Sequence, residues 1–266
     1  MLNKINIVKI GGNIIDDDTK LNLFLQDFAQ LPEPKILIHG GGKIATDIGK
    51  SLGIEAKMVD GRRITDSEML RVVTMVYGGL VNKTIVAKLQ ALKCNALGLT
   101  GADANIIPAR KRPVQTIDYG FVGDITAENV QETNLQLFLE NNLTPIIAPL
   151  THDGNGSLLN TNADTIASTV AVSLAKTYDI NLIYCFEKKG VLANVDDENS
   201  VIHQITKATY QNLKQNGIIV QGMLPKLDNA FAAIDAGVKS VFICHASDIL
   251  LVLGKKEKAG TELIKG

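Results

Sequence analysis

Two lysines and one aspartate stand at the ends of predicted elements, where their side chains can reach a common site. Lys9 lies at the end of the first predicted strand, and Asp164 and Lys226 each lie at the start of a predicted helix. A transferring phosphoryl group carries negative charge, so its chemistry needs positioned reactants and cations. Lysine suits that role, and a carboxylate can hold lysines through charge-assisted hydrogen bonds. A solvated lysine at a strand end or in a first helical turn shows the same pattern, so spacing alone leaves both interpretations open.

Two glycine-rich segments follow the first two predicted strands. Gly11 and Gly12 come after Lys9-Ile10, and the glycines at 40–42 come after His39. In an open parallel sheet, ligands bind beyond the carboxyl ends of the strands, where helix N-termini offer free N–H groups to an anion. Two such loops are expected to cradle one phosphoryl group from two sides. Either loop alone is also compatible with an ordinary tight turn.

The sequence also offers groups that bind a carboxylate. The guanidinium of Arg63 can form a bidentate pair with one, although the neighbouring Arg62 is a competing candidate. Asn160 can donate through its side-chain amide. Because a predicted helix follows, Asn162 or Asp164 is alternatively expected to be the N-cap of that helix.

A dinucleotide-binding fingerprint is the main competing pattern. Gly40, Gly42 and Ala45 fit G-x-G-x-x-[GA], and Asp60 lies 20 residues beyond Gly40, where a ribose-binding acid is expected. This favours an NAD-dependent dehydrogenase as the alternative. The fingerprint follows the second strand, however, and it leaves Lys9 and the first glycine pair unexplained.

The composition is that of a globular chain. Of the 266 residues, 45% are hydrophobic and 21% are charged, which excludes a disordered chain, a collagen and a coiled coil. The net charge of -1 argues against a general basic surface for nucleic acid. No signal peptide or membrane-spanning run is predicted. The cysteines at 94, 185 and 244 are expected to be reduced core residues, so a cytoplasmic protein is predicted.

The elements that must position these residues alternate between short β-branched runs and helical patterns. This alternation predicts a three-layer αβα sandwich with a mainly parallel central sheet. Breakers at 54–64 and 106–125 predict inserted β-hairpins over the site, and the absence of a linker predicts one domain with two lobes that meet near residue 176. Strands are predicted at 5–10, 35–39, 96–100, 145–148, 181–185 and 240–244, and helices at 19–30, 43–52, 66–77, 82–92, 127–141, 163–176, 206–215 and 224–236.

Seven motifs, in this order, make the chain resemble the amino acid kinase family and, within it, the acylglutamate kinase branch. The third and fifth motifs are particular to that branch, whereas other members of the family share the glycine-rich loops. The motifs are VKIGG at 8–12, HGGG at 39–42, GRRIT at 61–65, GLTGADAN at 98–105, YGFVGDI at 119–125, NTNAD at 160–164 and GMLPK at 222–226.

The resemblance implies an ATP-dependent kinase that phosphorylates the γ-carboxylate of an N-acylated L-glutamate in arginine biosynthesis. ATP with Mg²⁺ is the implied co-substrate, and no dedicated metal site is implied. Lys9 and Lys226 match the lysines that stabilise the transition state, and Asp164 matches the acid that organises them. Gly41, Gly42, Arg63 and Asn160 match positions that bind the acylamino acid, while Gly11, Gly12, Glu187, Lys188, Lys189, Gly190, Val191, Leu192, Ile218, Ile219 and Val220 match positions on the nucleotide.

Three points depart from the family pattern or stay open. The run from Phe186 to Gly190 stands where relatives usually have a threonine- or serine-aspartate pair before the glycine. The acyl group is acetyl or succinyl, and a succinyl carboxylate would need a cation such as one of those at 110–112. A sibling kinase with another acid acceptor is the nearest alternative. The resemblance also implies a homodimer, with lobe 1–176 for the acylamino acid and dimerisation and lobe 177–266 for the nucleotide, and no inhibition by arginine.

Overall fold

The structure, a computed structural model, describes residues 4–59, 61–219, 223–254 and 259–266. Its strands, numbered in chain order, are β1 (Lys4–Ile10), β2 (Lys35–His39), β3 (Met58–Val59), β4 (Arg62–Arg63), β5 (Ala96–Leu99), β6 (Arg110–Lys111), β7 (Gly123–Asp124), β8 (Thr144–Ile147), β9 (Leu150–His152), β10 (Leu158–Asn160), β11 (Asp179–Phe186), β12 (Gln204–Thr206), β13 (Ser240–His245) and β14 (Thr261–Ile264).

Eight of these strands form the central sheet, in the order β12-β14-β13-β11-β1-β2-β8-β5. Every neighbouring pair is parallel except β13 and β14, which are antiparallel. The predicted mainly parallel sheet is therefore confirmed. The edge strands β12 and β14 were not predicted, because they are short and carry no continuous apolar run.

Helices pack on both faces of the sheet, which confirms the three-layer architecture. Alternate residues of β1 enter different cores: Ile5 and Ile7 join one core, whereas Val8 and Ile10 join the other. This alternation places Lys9 on the same face as Ile7. The α-helices in the described ranges are α1 (Gly12–Ile15), α2 (Asp18–Gln30), α3 (Gly42–Ser51), α4 (Ser67–Val73), α5 (Asn82–Ala91), α6 (Glu132–Glu140), α7 (Ala163–Leu174), α8 (Lys207–Gln215), α9 (Leu224–Asp235) and α10 (Ile249–Gly254).

The predicted break between helices 66–77 and 82–92 is wrong. A π-helical segment, Thr74–Val81, joins α4 to α5 into one continuous helical stretch, Ser67–Ala91. Gly78 lies in this segment, and a Cβ there would be 3.4 Å from Leu150 Cδ1, so the glycine permits close packing rather than ending the helix. By length and composition the stretch could cross a membrane, but 44% of its most apolar window is buried.

Three small hairpins stand outside the central sheet. The pairs β3–β4 and β6–β7 confirm the hairpins predicted at 54–64 and 106–125, and β9–β10 forms a third that was not predicted. Isolated bridges join Thr65 to Gly120 and Val122 to Asn160, so the three hairpins contact one another. Together they form a rim beside the carboxyl ends of β2 and β8.

Candidate active site

Two cavities lie beyond the carboxyl ends of the central strands. The first, called here the large cavity, has a volume of about 410 Å³ and is lined by Lys9, the loop from Gly11, the segment after β11, Ile219 and Lys226. The second, called the small cavity, has a volume of about 230 Å³ and is lined by residues of the glycine run 40–42 and of the three hairpins. A third, the junction cavity, lies between them and is lined by both Asp164 and Lys226.

Lys9 and Asp164 form an ion pair where these cavities meet. Lys9 Nζ lies 2.7 Å from Asp164 Oδ1; the Lys9 side chain is buried, and that of Asp164 is 30% exposed. Asp164 is in the first turn of α7, whose N-cap is Asn162, because the Asn162 side chain accepts a hydrogen bond from Thr165 N. The capping role therefore belongs to Asn162, which leaves the Asp164 carboxylate free to hold the lysine.

Lys226 reaches the same point from the first turn of α9. Its Nζ lies 3.8 Å from the centroid of the Phe186 ring, while Lys9 Nζ lies 5.5 Å from that centroid. Burial lowers the pKa of Lys226; the nearby Asp164 opposes this effect, and the positive charge of Lys9 adds to it. The structure thus brings together the two lysines and the aspartate that lie far apart in the sequence.

The two glycine loops lie next to each other. A Cβ at Gly40 would lie 3.7 Å from Gly12 N, so the loops after β1 and β2 are neighbours. Gly41 has a φ of 140°, a conformation that favours glycine, and a Cβ there would lie 3.2 Å from the Tyr77 ring. Gly11 and Gly12 line the large cavity, whereas Gly41 and Gly42 line the small one. The two loops therefore line different cavities.

Arg63 lines the small cavity, and hydrogen bonds fix its guanidinium. Its Nη2 donates to Gly42 O at 2.7 Å and to Thr46 Oγ1 at 2.8 Å, so the guanidinium is fixed by α3. The side chain of Tyr77 is close enough for Arg63 to lower its pKa, against the larger raising effect of burial. A fixed cation in a cavity of this size can bind a carboxylate.

Asn160 lines the small cavity from β10. Its Nδ2 donates to Thr65 Oγ1 at 3.0 Å, and this bond joins two of the hairpins. On the rim, Arg112 Nε donates to Asp124 Oδ1 at 3.0 Å, and both residues also line the small cavity. Sequence reasoning did not assign Tyr77 or Asp124 to the site; Asp124 lies in a recognised motif, whereas nothing in the local sequence marks Tyr77.

The loop after β11 lines the large cavity through most of its predicted residues. Val191 N donates to Thr261 Oγ1 at 2.8 Å, which fixes the loop. Lys189 and Ile218 are not among the described residues that line the cavity, and Val220 lies outside the described residues. The predicted nucleotide residues that do line it are Gly11, Gly12, Glu187, Lys188, Gly190, Val191, Leu192 and Ile219.

His39 is a buried support for the second glycine loop. One ring nitrogen, Nδ1, lies 2.7 Å from Gly40 O, and the other, Nε2, lies 3.1 Å from Asn82 Nδ2. Because Asn82 Nδ2 is a donor, the ring must be neutral, with its proton on Nδ1. Burial lowers the pKa of His39 to about 4, which agrees with a neutral ring.

The chain is similar to known proteins in sequence and in fold. Residues 4–245 match the model of the amino acid kinase family. The acetylglutamate kinase of Cytophaga hutchinsonii is 58% identical over 264 residues, which cover 99% of each chain. A solved carbamate kinase from Giardia lamblia, bound to AMP-PNP, has a TM-score of 0.68 at 15% identity over 99% of each chain.

A second solved structure has a similar fold on a longer chain. The N-acetylglutamate synthase from Neisseria gonorrhoeae, complexed with coenzyme A and N-acetyl-glutamate, has a TM-score of 0.84 at 22% identity. The match covers 100% of this chain but 60% of the synthase. These matches give no support to the dehydrogenase interpretation, whose Asp60 lies outside the described residues. The chain belongs to the amino acid kinase family, and within it to the acetylglutamate kinases.

Proposed function

We propose that the protein transfers the γ-phosphoryl group of ATP to the γ-carboxylate of N-acetyl-L-glutamate, in arginine biosynthesis. The observation that carries this proposal is the meeting of Lys9, Asp164 and Lys226 between two cavities of different character. The small cavity offers the fixed cation Arg63 to an acidic amino acid. Relatives named acetylglutamate kinase support the choice of substrate.

The reaction joins an acceptor oxygen to the γ-phosphorus and releases ADP, so negative charge develops on the transferred group and on the leaving oxygen. Lys9 and Lys226 are placed to stabilise that charge, and Asp164 keeps Lys9 in position. Gly11 and Gly12 line the large cavity, where backbone N–H groups of this loop can donate to phosphate oxygens. The chain thus contributes position and electrostatics, and it forms no covalent bond to the substrate.

We propose that ATP occupies the large cavity and brings Mg²⁺ with it. Phosphate oxygens and water are the ligands that Mg²⁺ prefers in kinase sites. Asp164 and Glu187 are the carboxylates among the described residues that line this cavity. The AMP-PNP complex of the Giardia carbamate kinase supports a nucleotide site in this fold.

A hydroxylamine trap tests the reaction. The protein is incubated with MgATP, hydroxylamine and N-acetylglutamate, glutamate or aspartate, because an acyl phosphate is captured as a coloured hydroxamate. Colour with N-acetylglutamate alone, and none from a Lys226→Ala control, is the expected result. Colour with free glutamate or aspartate instead would show a sibling kinase, and no colour with any acid would overturn the proposal.

An N-succinyl group is the second candidate acyl group, and one feature favours it. An outer, more exposed cavity adjoins the small cavity, and the two share Arg62, Arg112 and Asp124. Of the cations predicted at 110–112, Arg112 therefore reaches the acyl-binding region. A longer acyl group that ends in a carboxylate would meet Arg62 and Arg112 there.

The same trap decides between the acyl groups when N-succinylglutamate is added as a further substrate. A succinyl enzyme would show a higher kcat/KM for the succinyl compound, and Arg112→Ala would lower that value at least tenfold while sparing N-acetylglutamate. An acetyl enzyme would show the opposite preference, with little response of either substrate to Arg112→Ala.

We propose a homodimer formed through the helical stretch Ser67–Ala91. Met75 and Leu80 on this stretch are 54% and 53% exposed, and exposed apolar side chains on one helix are typical of an interface. Sedimentation at several concentrations would show a dimer, and Leu80→Asp would shift it toward the monomer. A monomer at all concentrations would contradict the proposal.

We also propose two lobes, divided near residue 176, and a cytoplasmic location. The small cavity is lined by residues before that point, whereas the segment after β11 supplies much of the large one. The three cysteines are free and buried, as is common in reducing compartments. Isothermal titration calorimetry with ATP alone and with the acylamino acid alone would test whether each lobe binds its own ligand. Cell fractionation would test the location.

A further inference from the structure

Phe186 occupies a position that the reaction described above leaves without a role. It is the last residue of β11. Its ring lines both the large cavity and the junction cavity. It also stacks on Tyr184, with ring centroids 6.1 Å apart and planes 9° from parallel, so its orientation is fixed by the sheet.

The two lysines at the junction differ in what balances their charge. Lys9 is paired with Asp164 at 2.7 Å. Lys226 forms no ion pair with a carboxylate in the part of the chain that the structure describes; its nearest electron-rich partner is the ring of Phe186, at 3.8 Å from the centroid. An aromatic face attracts an ammonium group through its quadrupole, and it does so more strongly when water is excluded.

We propose that Phe186 is a positioning residue whose ring face holds the charged ammonium of Lys226 at the junction of the two cavities. This proposal rests on the proposed function, because it concerns a lysine assigned to phosphoryl transfer. A second carboxylate in this place would repel the phosphates. A neutral ring holds Lys226 without cancelling its charge, so that the full charge is available to the transferred group.

The charges around Lys226 make its ionisation a measurable property. The titratable and charged groups that line the two cavities around it are Lys9, Arg62, Asp164, Tyr184, Glu187 and Lys188. Burial and Lys9 favour the neutral amine, whereas Asp164 favours the ammonium. The ring also favours the ammonium, so its removal lowers the pKa of Lys226 further.

The first test needs no substrate. Protein labelled with ¹³Cε-lysine is titrated by NMR, and the Lys226 signal is identified by its loss in Lys226→Arg. Phe186→Leu is expected to lower the pKa of Lys226 by about 0.5–1 unit, the size of one cation–π contact. Phe186→Tyr keeps the ring face and should keep the pKa. Phe242→Leu is the matched control, because Phe242 lies on the neighbouring strand β13 and packs in the opposite core.

The second test measures turnover with fluorinated phenylalanines at position 186, which weaken the ring quadrupole while preserving its shape. Stepwise fluorination is expected to lower kcat stepwise, to about one tenth of the wild-type value, with the KM for ATP within about twofold. The alkaline limb of the pH–rate profile should move to lower pH in parallel, because the active form of Lys226 is protonated.

Specific results would overturn the inference. An unchanged Lys226 titration in a folded Phe186→Leu protein would show that the ring does not hold the ammonium. A fluorinated series equal to wild type, or a change confined to the KM for ATP, would show that Phe186 acts through shape or by stacking on the base. If the wild type forms no hydroxamate, the proposed function fails, while the NMR titration still decides the Phe186–Lys226 contact.

Discussion

The small and large cavities are built in different ways. The small cavity takes all its described lining residues from before residue 166, and it is rich in charge, with Arg62, Arg63 and Arg112 around Asp124. The large cavity joins the loop after β1 to chain beyond residue 185, and its walls include apolar side chains such as Val191 and Ile219. The first suits a small acid, and the second suits a nucleotide whose base is flat and whose phosphates reach the lysines.

The two cavities also differ in the interactions that keep their lining residues in place. In the small cavity, hydrogen bonds fix individual functional groups: Arg63 is held by α3, and Asn160 is held by Thr65. In the large cavity, the Val191 N–H donates to Thr261 Oγ1 and fixes the loop, and apolar side chains such as Val191 and Ile219 line the walls. Substitutions should therefore have substrate-specific effects in each cavity and shared effects only at the junction.

Loss of Lys226 should have the largest effect, because this residue lines the junction between the two cavities. Lys226→Ala is expected to lower kcat by about 10²-fold or more, the scale of losing one electrostatic stabiliser. Steady-state kinetics with both substrates varied would measure it. Lys239→Ala is the control, because that lysine is exposed and pairs with Asp179. Near-normal turnover in Lys226→Ala would remove this residue from the mechanism.

Protonation of His39, which lies beside the glycine run 40–42 of the small cavity, should lower the stability of the folded protein. The pKa of His39 is lowered from 6.5 to about 4 in the folded protein, so the unfolded chain binds a proton first as pH falls. Stability is complete above pH 6.5 and is lost toward pH 4, by on the order of 3 kcal/mol. Thermal melts across this range should show that slope in the wild type and lose much of it in His39→Gln. The exposed His203→Gln variant should keep the slope, and an equal slope in all three proteins would contradict the assignment.

Arg63 sharpens the comparison between the two cavities. Arg63→Ala should raise the KM for the acylamino acid by about 10–100-fold, because a charged hydrogen bond to a carboxylate is lost. The KM for ATP should stay within twofold. Arg71→Ala, at an exposed position on α4, is the matched control. Equal rises in both KM values would contradict the assignment of the two substrates to different cavities.

Substitution of Gly190 should raise the KM for ATP instead, and this is the smallest of the expected effects. A Cβ at this position would lie 2.7 Å from Thr261 Oγ1, so Gly190→Ala must displace the loop that lines the large cavity. We expect the KM for ATP to rise by about fivefold, in line with mild overpacking. The KM for the acylamino acid serves as the internal reference, and a selective rise in that value instead would place the loop on the other substrate.

Local patterns in the sequence were enough to predict much of the fold. The continuous apolar runs predict six parallel strands, and Asp66 predicts the start of α4, where its carboxylate accepts from Met69 N. The glycines after β1 and β2 mark the loops, because their backbone must approach an anion. The π-helical join at Gly78 could not be predicted, because its cause is close packing against Leu150, a residue distant in sequence.

The sequence by itself determined the chemical types at the site: cations for phosphate, an arginine and an amide for a carboxylate, and glycines for the loops. These are properties of residue type and local spacing. Only the tertiary structure decided which groups meet. The pairing of Lys9 with Asp164, the neutral His39 beneath Gly40 and the ring of Phe186 under Lys226 join residues from separate elements. Such contacts depend on the packing of helices onto a shared sheet, which no local sequence pattern specifies.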